Sequence, residues 1–497
     1  METLMAWPLV LLITTPLIVG LGSLFLRQRR IIEVLHCVQA GAMVGAALLL
    51  AHQVIVAGRV SVGVFLQADA LSAWLDLIIG LVGSTGTLYA VGYMGEELNR
   101  RHLSLGRYAR FFCLFDLYLA AMLLAVNLEN IAIMWIAIEG STLSAALLIG
   151  FERTKAALEA GWKYVILSSV GIALALFGTI LIYYSSEHVL GVSSEALRWS
   201  QLYQAAERLN PIAIKIAFIF ALIGYGTKAG IAPMHTWLPD AHAEAPTPVS
   251  AMLSANMLTL AVYAILRFKA VTDKTVGPEF SGNLMIGLAL LSIAVSAIFF
   301  LVQRDYKRLF AYSSIEHIGI ALLGFGIGGV GVFAGSWHLL QHALAKSTAF
   351  YGAGLVFLGC DHKMLDRVTG MLSQMPVAGT AILAAGVALA GMPPFGLFTS
   401  EMLITAGAYR ARPEAAYLFL TLLALAFATL LFQVLRMALG PAGAPSRVLG
   451  GQCRAFAGVA VGINLAVLGV IGLQVPTGLG TLLASIMKIF VIEIEVP

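Results

Sequence analysis

The stretch that decides the fold is GYGTKAGIAPMHTWLPDAHAEAPTP, residues 224–248. It closes an apolar run at 211–232 and places a lysine, Lys228, inside that span, followed at once by Gly230 and Pro233. A charge at the centre of a spanning helix costs at least ~2.5–3.5 kcal/mol, so such residues face a wet cavity or a partner and carry function. Glycine and proline at membrane depth break the helical ladder, which is tolerated only where the freed backbone is buried in protein or lines water. One segment thus announces a membrane helix that is both charged and broken.

The rest of the chain agrees. Of 497 residues, 60% are hydrophobic and 11% are Asp, Glu, Lys or Arg, against about 25% charged residues in soluble domains; the mean hydropathy is +0.90. The chain reads as an all-α polytopic membrane protein with little room for a soluble domain. Apolar stretches at 8–26, 31–57, 69–94, 109–126, 128–150, 160–184, 211–232, 248–268, 282–302, 309–330, 332–359, 377–410, 416–438 and 455–475 give about fourteen transmembrane helices, each near the 20 or so residues a bilayer requires. No cleavable signal pattern is evident, since Glu2 precedes the first apolar run and Arg27, Arg29 and Arg30 follow it.

The count can be tested on the basic residues, which concentrate in alternate, cytoplasmic loops. Odd-numbered loops hold 18, among them Arg100, Arg101, Arg107, Lys163 and Lys307; even-numbered loops hold 8, among them Arg267 and Lys269. This bias places both termini outside an inner (plasma) membrane. Of 30 basic residues four remain: Lys488 in the tail, and Lys215, Lys228 and Lys346 inside spans. Lys215, near the start of its helix, can snorkel to the interface. The net charge of +4 gives no pointer to nucleic acid.

Intramembrane charges accumulate. Glu139 lies in the fifth span, Lys228 in the seventh, Glu316 and His317 in the tenth, His338, His342 and Lys346 in the eleventh, and Glu401 in the twelfth. His338, His342 and Lys346 recur every fourth residue and share one helix face. Burial disfavours a lysine's charged form and a nearby carboxylate favours it, so a glutamate that moves or titrates can switch a lysine's proton affinity. Such a series suits a proton relay. Asp69, Asp76 and Asp116 read as packing or interface residues. A second break, GMPPFGLFTSE at 391–401, sets Pro393 and Pro394 shortly before Glu401 as Pro233 follows Lys228; paired broken helices in two halves point to an inverted-repeat transporter with its ion site at the breaks. Repeats drawn at 107–268 and 281–438 put Lys228 and Glu401 at matching depths, between an N-terminal three-helix segment (1–106) and a C-terminal helix and tail (439–497). His235 falls at the cytoplasmic end of the path. His235 and His242 are separated by Pro239, in a proline-rich stretch without a third ligand at metal spacing, and the four cysteines stand singly, so no metal or cofactor site is expected in this chain.

These residues carry a resemblance. GYGTKAGIAPMHTWLPDAH (224–242), AYSSIEHIG (311–319), HALAKS (342–347) and GMPPFGLFTSE (391–401) resemble the antiporter-like membrane subunits shared by respiratory complex I, Mrp-type sodium/proton antiporters and energy-converting hydrogenases. ALEAGWKYVIL (157–167) and the exact wording of the other motifs are most similar to the hydrogenase component F type. The resemblance implies fourteen helices, two inverted five-helix repeats with broken seventh and twelfth helices, and a polar axis along the midplane. Glu139 matches the fifth-helix glutamate, Lys228 its lysine partner, Lys346 an eleventh-helix lysine, Glu401 the terminal acid, and Lys163 a sixth-helix lysine close to the axis. It departs at Thr259, where many complex I members have a lysine. The implied function is a non-redox, proton-translocating subunit of an oxidoreductase complex. Iron–sulfur clusters and a nickel–iron centre or flavin belong to partner subunits, both membrane and peripheral, and sodium is a second candidate ion. The alternatives are a Mrp-type Na⁺/H⁺ antiporter subunit without redox partners, and an assembly scaffold keeping a vestigial axis.

Overall fold

In the computed structural model the described residues are 6–100, 103–442 and 447–490; Glu2 and Arg101 lie outside them. The chain is a bundle of helices: α1 (Trp7–Ser23), α2 (Arg29–Ala57), α3 (Ala70–Asn99), α4 (Leu105–Asn127), α5 (Ile131–Ile149), α6 (Lys155–Leu190), α7 (Pro211–Ala229), α8 (Trp237–Glu244), α9 (Thr247–Val276), α10 (Pro278–Phe300), α11 (Tyr306–Ile327), α12 (Val330–Cys360), α13 (Pro376–Leu389), α14 (Gly396–Ala411), α15 (Pro413–Leu439), α16 (Gly451–Leu473) and α17 (Thr477–Phe490). A two-stranded antiparallel hairpin, β1 (Val60–Val62) and β2 (Leu66–Ala68), joins α2 to α3.

Among the described residues, twelve helices are long and apolar enough to cross a membrane. The other two expected spans are α1, of 17 residues, and the 377–410 stretch, which is split into α13 and α14 of 14 and 16 residues. Helix starts carry their own donors' partners. Asn130, Asn210 and Asp305 each accept two amide N–H groups of the following turn at 2.7–3.2 Å, satisfying groups a helix start otherwise leaves unpaired.

Burial sorts the helices into two layers. α9 is buried along its apolar length and α3, α11 and α12 nearly so, while α6, α15 and α16 turn most of theirs outward. Leu147, Trp162, Ile166, Phe432 and Val470 are among the exposed apolar side chains, as suits a lipid-facing surface. The buried helices carry charges of their own, among them Asp76, Arg267, Glu316 and Lys346.

Hydropathy ended the eighth span at 268, but α9 runs on to Val276. Arg267 and Lys269, expected as loop markers, are buried inside it because each has its own acid: Arg267 bonds Asp69, and Lys269 bonds Asp273 at 2.6 Å and Ser281 at 2.8 Å. Lys307 is likewise buried, donating to the carbonyls of Ala243 and Ala245 at 3.4 and 2.9 Å. Lys215 is exposed near the start of α7 and lies over the Phe280 ring at 5.4 Å. Asp76 and Asp116 find partners within the chain, Asn127 at 2.9 Å for the first, His36 at 3.0 Å and Gln39 at 2.6 Å for the second.

Candidate proton pathway

Both breaks are built on a left-handed glycine. α7 stops at Gly230, φ +71°, whose missing side chain leaves room for Leu238. Carbonyls freed there are met: the Thr227 oxygen accepts the Trp237 indole N–H at 2.8 Å, and the Gly226 oxygen accepts the amide of Ile231 at 2.9 Å. α8 then turns back into the core. At the second break Gly391, φ +66°, stands where any side chain would collide with the Glu401 carboxylate. A β-carbon is thus excluded at both positions by conformation and by space.

In the first half, Lys228 is fully buried and its ammonium donates to the Thr142 hydroxyl. Glu139, one turn before Thr142 on α5, is within electrostatic reach of that ammonium, and its Oε2 is buried without a hydrogen-bond partner among the described residues. In the second half, Lys346 is fully buried and donates to the Phe310 carbonyl at 2.7 Å and to the Ser313 hydroxyl. Glu316, one turn after Ser313 on α11, is its carboxylate in reach. The His342 ring lies 5.4 Å from that of His317, and His317 Nδ1 sits 3.1 Å from His338 Nε2. His338 Nδ1 is 2.8 Å from the Ser400 hydroxyl, which brings the row to Glu401 on the same turn of α14. Glu401 also lines a surface cavity of about 480 Å³ between α14 and α15.

Lys163 does not join this row. Its side chain is 47% exposed and pairs with Glu159 at 2.8 Å and Asp240 at 3.0 Å, and Asp240 also accepts from Arg308 at 2.5 Å. The expected inward placement is therefore corrected to the rim. His235, 9% exposed, lies beside Tyr312 at the break, with Pro233 in the turn preceding it and Pro393 and Pro394 in the matching turn before α14.

Three features escaped the sequence reading. His242, set aside as a failed metal ligand, is carried by α8 into the core, stacks on Phe350 at 5.3 Å, and lies within reach of Lys346 and Lys307. Its two ring nitrogens have no partner among the described residues. Next, α9 contains a π-helical turn at Leu253–Met257, beside the Thr259 gap; such turns concentrate at functional sites. Within it the Asn256 side-chain Oδ1 is without a partner among the described residues, and Ser254 lies 2.7 Å from Ser314 of α11, bridging the two halves with hydroxyls. Last, His36, Gln39 and Asp116 form a separate buried polar cluster, whose sequence signal is slight: polar residues in two apolar runs 80 residues apart.

The family described as NADH:quinone oxidoreductase/Mrp antiporter, TM, matches residues 129–427, three-fifths of the chain and every residue of the row. The chain belongs to that family. A hydrogenase-4 component F homolog of Methylacidiphilum infernorum (isolate V4) is 40% identical to this antiporter-like subunit over 379 residues, 76% of this chain and 80% of the relative. Hydrogenase-4 component B of Escherichia coli (strain K12) is 28% identical over 68% of this chain, which spans 50% of that longer protein. Among solved structures, a chain of the membrane-bound sulfane sulfur reductase, an archaeal respiratory membrane complex, superposes with a TM-score of 0.83 over 97% of both chains at 24% identity, a likeness of fold.

Proposed function

We propose that this chain is the proton-translocating membrane subunit of a multisubunit redox complex of the membrane-bound hydrogenase or complex I-like kind. The observation that carries the reading is the buried row of Lys228, Glu316, Lys346, His342, His317, His338 and Glu401, with half-buried Glu139 in reach of Lys228, anchored at two broken helices. Protons enter by way of His235 to Lys228, whose affinity Glu139 sets. They cross the Thr259 gap on water held by Asn256 and the Ser254–Ser314 pair, pass Lys346 and the histidines, and leave at Glu401. The chain moves protons without a cofactor of its own; clusters and a nickel–iron centre or flavin reside in partner subunits. α1 and the α13–α14 pair complete fourteen spans, with inverted repeats at 107–268 and 281–438 and both termini outside the plasma membrane. The 40% identity to a hydrogenase component favours this reading over a free-standing sodium/proton antiporter.

The test is Lys228→Met in the native complex, reconstituted in vesicles. Proton uptake coupled to electron transfer is expected to vanish while electron transfer persists in part. Full pumping stoichiometry in that variant overturns the pathway.

A further inference from the structure

The end of the row has a geometry that proton transfer alone does not require. His317, His338 and Glu401, all buried, each offer one ligand atom, and those atoms all lie within 4.8 Å of one another. Zinc bound by imidazole at ~2.0–2.1 Å in a tetrahedron sets two nitrogens about 3.3 Å apart; His317 Nδ1 and His338 Nε2 are 3.1 Å apart. His338 is already oriented for this: the Ser400 hydroxyl donates to the Leu397 carbonyl at 2.8 Å and so accepts from His338 Nδ1 at 2.8 Å, which leaves the Nε2 lone pair facing His317 Nδ1, the outer-shell support that metal-binding histidines ordinarily have. Glu401 Oε1 and His317 Nε2 are buried without a hydrogen-bond partner among the described residues. Glu401 also lines the cavity between α14 and α15, so the cluster is not sealed from the protein surface.

We propose that His317, His338 and Glu401 form a site for a divalent cation of borderline softness, with zinc as the best fit, which replaces the proton shared by the two imidazoles and plugs the row at its exit. On binding, the His317 proton moves from Nδ1 to the unpartnered Nε2, both nitrogens facing the ion donate lone pairs, and Glu401 supplies a carboxylate oxygen, releasing its proton to water if it carries one. No bond in the protein breaks and no electron moves. Two imidazoles and one carboxylate leave a fourth position for water. A bound ion fixes three groups that must reorient for protons to pass, so occupancy inhibits transport. Calcium and magnesium, which take oxygen ligands, are poor fits.

The site is read directly by zinc binding to the intact complex, without turnover. Zinc titration is expected to give one tight equivalent per chain, and zinc-edge X-ray absorption a first shell of two imidazole nitrogens with carboxylate and water oxygens. His338→Asn and Glu401→Gln should each weaken binding at least tenfold, and Ser400→Ala, a milder change, also about tenfold. His188→Asn, which removes an exposed histidine on α6, should leave binding unchanged. Lys228→Met should bind zinc as the wild type does while failing to pump, so the pathway and the metal site fail separately. Absence of a stoichiometric zinc, a shell with fewer than two imidazoles, or undiminished binding in His338→Asn overturns the proposal; the absorption measurement needs no variant to fold.

Discussion

Replacing Arg267 by methionine tests whether the inner layer is held by true buried ion pairs. The guanidinium donates to both oxygens of Asp69 at 2.5 and 2.7 Å and to the Ser72 hydroxyl at 2.9 Å, and lies over the rings of Trp199 at 4.2 Å and Tyr263 at 4.9 Å. The two side chains are 6% and 16% exposed, closer to an interior pair than to a surface pair worth 0–1 kcal/mol or so. Methionine fills much of the aliphatic space but strips the Asp69 carboxylate of its guanidinium and leaves it, among the described residues, with Ser72, whose amide donates to it at 2.9 Å. An uncompensated buried charge of this kind costs about 3–5 kcal/mol. Asp69→Asn should cost a similar amount, since it strands the arginine instead. The double variant strands neither, so its loss should fall short of the sum of the single losses by more than ~1 kcal/mol. Unfolding of the purified chain in micelles, followed by Trp199 fluorescence and far-ultraviolet circular dichroism, reads all three. Strictly additive losses, or a single variant within ~1 kcal/mol of wild type, would refute the reasoning.

Other outcomes follow from the same geometry. Gly391→Ala imposes a left-handed conformation costing about 1–2 kcal/mol and drives a methyl into the Glu401 carboxylate; proton uptake in vesicles should fall severalfold while the complex still assembles. His242→Gln, beside Lys346, should slow proton uptake with little change in the unfolding temperature, and an unaltered rate removes His242 from the route. Lys163→Ala should leave both pumping stoichiometry and unfolding temperature near wild type, because its partners sit at the rim; a pumping defect would return Lys163 to the path.

How much of this was legible in the sequence depended on what each residue needs. The breaks could be read because glycine and proline carry their own geometry, and Lys228 and Glu401 stand beside them. Arg267 and Lys269 read as loop residues because hydropathy scores a charge without knowing its partner. Asp69, 198 residues away, is what allows Arg267 to stay inside. Lys163 was moved inward on resemblance alone, although Glu159 one turn earlier is the mark of a rim pair. His242 was judged only as a metal ligand, whereas its place follows from α8 folding back after the break. Thr142, Ser313 and Ser400 are too common a residue type to signal anything in sequence, and the π-turn of α9 has no composition of its own.

Those hydroxyls bear on why some buried cations can move protons and others cannot. Arg267 and Lys269 hold a carboxylate in direct contact, at 2.5 and 2.6 Å, an arrangement that fixes the charge. Lys228 and Lys346 instead bond a hydroxyl, and among the described residues neither has a carboxylate in contact; Glu139 and Glu316 stand one turn away along the same helix as that hydroxyl. A hydroxyl donates or accepts by rotating, so it can serve an ammonium and a neutral amine alike. The carboxylate in reach then biases the choice without dictating it. A lysine built this way can lose and regain its proton without losing its place, which is what a relay asks of it, and exchanging Thr142 for a carboxylate would turn Lys228 from a carrier into an anchor.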